Sequence, residues 1–256
     1  MSKIKQAFES NKAFIAFITC GDPDLETTET AIRAAVSGGA DLIELGIPFS
    51  DPTAEGPVIQ GANLRALKGG ITTDKIFAFV ENLRQDITVP MVFMTYSNVV
   101  FSYGAEDFLS ACSRLSIDGL ILPDLPFEEK EEFLPVCRKY GIDLISLIAP
   151  TSKDRIAKIA KEAEGFLYIV SSLGVTGVRN EIQTNLKAIV DIVRQNTSIP
   201  CAIGFGISTP KQARKMAELA DGVIVGSAIV KFLEQYGSNA PMYIGAYVKS
   251  MTEAMS

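Results

Sequence analysis

Asp41–Leu42–Ile43–Glu44–Leu45–Gly46 runs directly into Ile47–Pro48–Phe49–Ser50–Asp51–Pro52–Thr53–Ala54–Glu55–Gly56–Pro57. The first six residues alternate at period two. Leu42, Glu44 and Gly46 share one face, and Ile43 and Leu45 share the other. Both faces are otherwise apolar, which is the pattern of a parallel strand covered on both sides. A carboxylate on the inner face of such a strand is costly unless something uses it. Burial among apolar neighbours raises its pKa and lets it donate a proton near neutrality. The loop that follows is rich in Gly and Pro and carries Asp51 and Glu55. Three carboxylates at a strand end and its loop point to acid–base chemistry.

Working outward, short apolar runs recur about every 25 to 35 residues, with helical segments between them. The strands read as Ala13–Thr19, Asp41–Gly46, Pro90–Thr95, Gly119–Leu122, Asp143–Leu147, Phe166–Val170, Ile199–Ile203 and Gly222–Val225. Helices are predicted at Leu25–Ser37, Thr73–Arg84, Ala105–Arg114, Phe127–Lys139, Lys153–Glu162, Asn185–Arg194, Pro210–Glu218 and near Pro241–Met251. Val58–Leu67 reads as an extra helix after strand two, and Met1–Phe8 as an extra N-terminal helix that plugs the barrel bottom. Alternating βα units of this number predict an α/β fold, a (β/α)8 TIM barrel forming one domain over residues 1–256. An open doubly wound sheet is the rival.

Composition narrows the function. The chain has 256 residues, 47% of them hydrophobic, enough for a large core. Its net charge of −6, without a long basic run, argues against nucleic acid or an anionic membrane as partner. No apolar run approaches the roughly 18 residues of a membrane span, and the start does not read as a secretory signal. Cys20, Cys112, Cys137 and Cys201 are scattered. They read as buried thiols of a cytoplasmic protein rather than a disulfide frame or zinc site. There is no histidine. Ser–His and Cys–His nucleophiles and His-based metal sites are thereby excluded, and acid–base work falls to carboxylates, Tyr, Lys or Cys.

In a barrel of this kind the site lies at the C-terminal ends of the strands. Gly204–Phe205–Gly206–Ile207–Ser208 and Gly226–Ser227–Ala228 close strands seven and eight. Glycines there let backbone amides approach an anion, and a helix starting at Gly226 adds its N-terminal dipole, so a phosphorylated ligand is expected. Glu44 is the candidate catalytic acid. Tyr168 shares a strand face with Phe166 and Val170 and reads as site lining or core. Glu55, taken alone, reads more readily as a solvated loop charge. Gly174–Val175–Thr176–Gly177 sits in a connection of roughly a dozen residues, long enough for a lid. No lysine falls at a strand end, which disfavours a Schiff-base aldolase.

Several segments resemble one family in order along nearly the whole chain. They are Phe17–Ile18–Thr19–Cys20–Gly21–Asp22–Pro23, Glu44 through Pro57, Met94–Thr95–Tyr96–Ser97–Asn98, Pro123–Asp124–Leu125–Pro126, Gly174–Val175–Thr176–Gly177, Gly204–Phe205–Gly206 and Val225–Gly226–Ser227. Together they are similar to the tryptophan synthase α subunits. The resemblance implies retro-aldol cleavage of indole-3-glycerol phosphate to indole and glyceraldehyde 3-phosphate. It implies that Glu44 protonates the indole ring carbon and handles the glycerol hydroxyl proton. Glu55 takes the place of the aspartate that holds the indole N–H, Thr176 orients that carboxylate, and Tyr168 lines the site. Phe17, Met94, Ile121 and Phe205 would pack on the indole. Gly177, Gly206, Gly226 and Ser227 would hold the phosphate. No metal or cofactor is expected in this chain. The resemblance implies a β subunit carrying pyridoxal phosphate, in an α2β2 complex, met by Asp51, Pro52, Thr53, Asn98 and Pro126.

Two segments depart from the family pattern, which has Leu and Asp where this chain has Thr53 and Glu55, and Ser–Arg where it has Ser171–Ser172. Arg179 is the nearest replacement for that arginine. Glu55 reaches one methylene further than Asp, and a misplacement of about 1 Å costs about 100-fold in rate. Two further readings follow: a weakly catalytic activator of the β subunit, and a stand-alone lyase that releases indole.

Overall fold

A computed structural model describes residues 2–9, 11–171, 179–204 and 206–256. Eight parallel strands close into a barrel in chain order: β1 (Ala13–Thr19), β2 (Leu42–Gly46), β3 (Met91–Met94), β4 (Gly119–Ile121), β5 (Asp143–Ile148), β6 (Leu167–Val170), β7 (Cys201–Gly204) and β8 (Gly222–Val225). β1 completes the closure by pairing with β8, Ala13 opposite Gly222 and Ala16 opposite Val225. The helices are α1 (Leu25–Ser37), α2 (Pro57–Lys68), α3 (Thr73–Leu83), α4 (Ser97–Tyr103), α5 (Ala105–Arg114), α6 (Leu134–Tyr140), α7 (Lys153–Lys161), α8 (Arg179–Asn196), α9 (Pro210–Ala217), α10 (Ser227–Tyr236) and α11 (Ala240–Met255).

Period-two alternation splits the core into two layers. Ile15, Phe17, Leu42, Val92, Met94, Ile121, Ile145, Phe166, Tyr168, Ala202 and Ile224 fill the barrel interior. Ile43, Leu45, Phe93, Leu120, Ile169, Ile203 and Val223 belong to the larger cluster between barrel and helices. The interior layer is plugged from below, as the sequence predicts. The plug is a short 3-10 helix, Ile4–Phe8, whose Ile4 and Ala7 are buried against the interior cluster.

Three helices differ from the sequence reading, and a fourth, α10, starts where it is expected. The expected Phe127–Lys139 helix is broken into a 3-10 turn, Phe127–Glu132, and α6. Pro135 sits in the first turn of α6, where it lacks the N–H that a continuous helix needs. The helix α4, unforeseen, starts at Ser97, whose N–H donates to both oxygens of Asp124 at 3.0 and 3.1 Å. The helix α8 starts at Arg179, so eight residues, not a dozen, separate it from β6. The helix α10 runs on from Gly226 for ten residues. Among the described residues, no helix is long and apolar enough to cross a membrane.

Candidate active site at the barrel mouth

Glu44 is the middle residue of β2, opposite Phe17 of β1 and Val92 of β3. Its inward register places it on the floor of a cavity of about 360 Å³ at the C-terminal end of the barrel. The side chain is 1% exposed, and its Oε2 finds no hydrogen-bond partner among the described residues. Desolvation, and then the charge of Glu55, push its pKa from 4.5 up to about 8. The group is therefore a proton carrier at neutral pH.

Glu55 enters the same cavity from the loop between β2 and α2. Burial raises its pKa to about 7, against an opposing hydrogen bond from Asn63, whose Nδ2 donates to Oε2 at 2.7 Å. The loop backbone is held as well. The Gln60 amide donates to the Glu55 carbonyl at 2.8 Å, and the Ala54 N–H donates to the Tyr96 hydroxyl at 3.0 Å. Tyr168 reaches the cavity from β6, with its hydroxyl pushed well above its ordinary pKa by burial and by Glu44.

Two glycines make room for the rings on the floor. A Cβ at Gly204 would lie 2.5 Å from the Tyr168 hydroxyl oxygen, and one at Gly46 would lie 2.7 Å from Cζ of Phe17. The opposite wall is the glycine-rich corner. Gly206, Ile207, Ser208, Gly226, Ser227 and Ala228 line it, and Gly226 caps the start of α10. The capping box of Thr209 with Gln212 anchors the loop after β7, where the Ser208 N–H donates to Gln212 Oε1 at 3.0 Å.

Of the residues expected in the site, Glu44, Glu55, Tyr168, Phe17, Met94, Gly206, Gly226 and Ser227 line one cavity. Ile121 does not. It is fully buried in the barrel interior beside its register partner Met94, and among the described residues none from β4 or β5 lines the cavity. Phe205, Thr176 and Gly177, and with them the expected lid, lie outside the described residues. Ile59, Ile224 and Lys231 line the cavity without having been anticipated. Lys231 lies one helical turn beyond Ser227, so a search confined to strand ends passes over it. Asp51, Pro52 and Thr53 line a separate shallow cavity with Phe49, Gln60 and Leu64, while Asn98 and Pro126 are exposed.

Two carboxylates gathered on one cavity in the mouth of a closed parallel barrel, both with pKa values raised by burial, form the site of a barrel enzyme that works by proton transfer. Comparison with known proteins narrows the class. The family model described as tryptophan synthase alpha chain matches residues 2–254. The tryptophan synthase alpha chain of Lacticaseibacillus casei is 51% identical over 255 residues, covering 100% of this chain and 96% of that protein. That of Lactiplantibacillus plantarum is 48% identical over 256 residues, covering 100% and 97%. The crystal structure of the alpha subunit from Legionella pneumophila str. Paris superposes with a TM-score of 0.90 at 38% identity, covering 100% of this chain and 98% of that one. The chain belongs to the tryptophan synthase alpha chain family.

Proposed function

We propose that Glu44 and Glu55 divide between them the chemistry by which the chain cleaves indole-3-glycerol phosphate. The overall reaction is that of the family: a lyase of tryptophan biosynthesis that yields indole and glyceraldehyde 3-phosphate and passes indole to the β subunit. The observation that carries the division of roles is the placement of two carboxylates on one cavity, Glu44 buried without a partner for its Oε2 among the described residues and Glu55 held by Asn63 at 2.7 Å. Glu44, fully buried and facing the charge of Glu55, is the group pushed toward its protonated form, while the Asn63 hydrogen bond favours the ionised form of Glu55.

The steps follow from that state. Glu44 donates its proton to the indole ring carbon bearing the glycerol chain. Positive charge then develops at the ring nitrogen, and ionised Glu55 stabilises it while accepting the N–H. As the carbon–carbon bond breaks, its electron pair returns to the ring and restores aromaticity. The adjacent hydroxyl becomes the aldehyde carbonyl and its proton returns to Glu44. Acid and base are regenerated without net proton change. The phosphate belongs at the corner of Gly206, Gly226 and Ser227, where amides and the dipole of α10 favour an anion. Phe17 and Met94 supply apolar walls for the indole. Gly177, Phe205 and Thr176 are assigned to the same site on the family resemblance alone.

The same reading assigns Asp51, Pro52, Thr53, Asn98 and Pro126 to the face that meets a β subunit in an α2β2 complex. They follow β2, β3 and β4 at the mouth end, and exposed Phe101 of α4 lies beside Asn98. Pyridoxal phosphate belongs to that partner, and the complex is assigned to the cytoplasm. The activator reading rests on the extra methylene of Glu55, but the hydrogen-bonded position of its carboxylate in the cavity supports turnover.

Indole release by the purified chain, alone and with a matched β subunit, tests these roles. Partner-stimulated release that disappears in Glu44→Gln supports them. No release by wild type, with gain on Glu55→Asp, would establish the activator instead.

A further inference from the structure

The helix α2 starts two residues after Glu55 and carries Asn63 back over it. Asn63 is 4% exposed, and its Nδ2 donates to Glu55 Oε2 at 2.7 Å. One turn earlier, Gln60 holds the Glu55 carbonyl at 2.8 Å. The same helix thus grips both the backbone and the carboxylate of one residue. We propose that Asn63 is the positioning residue that fixes the Glu55 carboxylate in the cavity for its work on the substrate. The inference rests on the reading of Glu55 given above.

The physical case is one of reach. A glutamate turns about three side-chain bonds, so its carboxylate sweeps a wide arc unless something stops it. A buried amide donor at 2.7 Å does so from a helix whose own position is set by packing. An aspartate at the same place is a methylene shorter and would reach Asn63 only if the loop moved toward α2. The groups that face Glu55 are Glu44 from β2, Tyr96 from the end of β3, and Tyr168 and Lys231 on the same cavity. Asn63 is the neighbour that donates to its carboxylate among the described residues.

The test combines kinetics with a direct titration. Asn63→Ala and the near-isosteric Asn63→Leu are assayed for indole release with a matched β subunit. They are also made in the Glu55→Gln and Glu55→Asp backgrounds. The expected result is a kcat lower by about 10- to 100-fold with KM changed little, as for a carboxylate misplaced by about 1 Å. The acid limb of the pH profile moves to higher pH, since the ionised form loses a donor. In either Glu55 background the same change at 63 costs at most about twofold, because coupled residues are not additive. Carbon-13 NMR of the Glu55 carboxyl shows its titration moved upward in Asn63→Ala. An unchanged kcat, an equal loss in the Glu55→Gln background, or an unmoved titration each overturns the inference. A wild type that releases no indole overturns the functional reading, and the titration then decides the Asn63 contact by itself.

Discussion

Arg65 grips Asp22 through two parallel hydrogen bonds, Nε to Oδ1 at 2.7 Å and Nη2 to Oδ2 at 2.9 Å. Asp22 is fully buried in the connection after β1, while Arg65 is on α2 and extends Nη1 to Glu234 of α10 at 3.2 Å. Three segments around the barrel mouth are therefore tied at one guanidinium. A planar fork suits this geometry and a lysine does not. Arg65→Ala leaves a buried carboxylate unpaired and is expected to destabilise the fold by about 3 kcal/mol. Arg65→Lys should recover only part of this. Denaturant unfolding of the two variants checks both statements, and equal stability to wild type would refute the brace.

The carboxylate pair predicts a narrow pH optimum. Activity requires Glu55 ionised and Glu44 protonated, so kcat/KM rises through about 7 and falls through about 8. A pH–rate profile of wild type shows the bell. The Glu55→Gln variant should lose the acid limb along with most of its rate.

Glu44 also links pH to stability. Its folded pKa is raised from 4.5 to about 8, so its burial is harmless below the unfolded value. Stability is lost as pH rises from there through about 8, while the unfolded chain ionises first. Glu44→Gln removes this penalty and abolishes proton donation. Its stability relative to wild type should grow by about 2–4 kcal/mol between pH 5 and pH 9, since a tenfold change in proton activity is worth about 1.4 kcal/mol. Thermal unfolding of both proteins across that range would show a constant difference if the prediction were wrong.

Gly204 and Gly61 should respond to alanine in opposite directions. At Gly204 the new Cβ meets the hydroxyl and ring of buried Tyr168 at 2.5 to 2.7 Å, so the ring must move. A loss of about 1–3 kcal/mol is expected, with a fall in activity as the ring shifts. At Gly61, inside α2, the Cβ finds only Arg65 Nη1 at 3.4 Å. A gain of about 0.5–1 kcal/mol is expected there from helix propensity. Melting temperatures of the two variants settle the contrast.

The strands were legible because period two and unbroken apolar runs leave few alternatives. β1 and β8 have the bounds the sequence predicts, and the other strands differ by a residue or two at their ends. Glu44 was legible for the same reason, since a lone acid on an inward face stands out. What the sequence hid depends on distant partners. The helix α4 contains Val99, Val100 and Phe101, poor helix formers, and starts where Asp124 receives its first N–H from 27 residues away. Asn63 reads as an ordinary helix residue until folding turns it onto Glu55. Lys231 reads as a solvated charge until α10 brings it to the cavity.

Closure through β1 and β8 has a consequence for synthesis. Each of these strands has one edge that only the other can satisfy, and more than 200 residues separate Ala13 from Gly222. A nascent chain that has not yet delivered Gly222–Val225 carries an open sheet edge on β1, bare backbone that invites pairing with a neighbouring polypeptide. The first strand of the barrel is thus sealed only by its last. The catalytic strand β2 has both its partners, β1 and β3, close by in the chain.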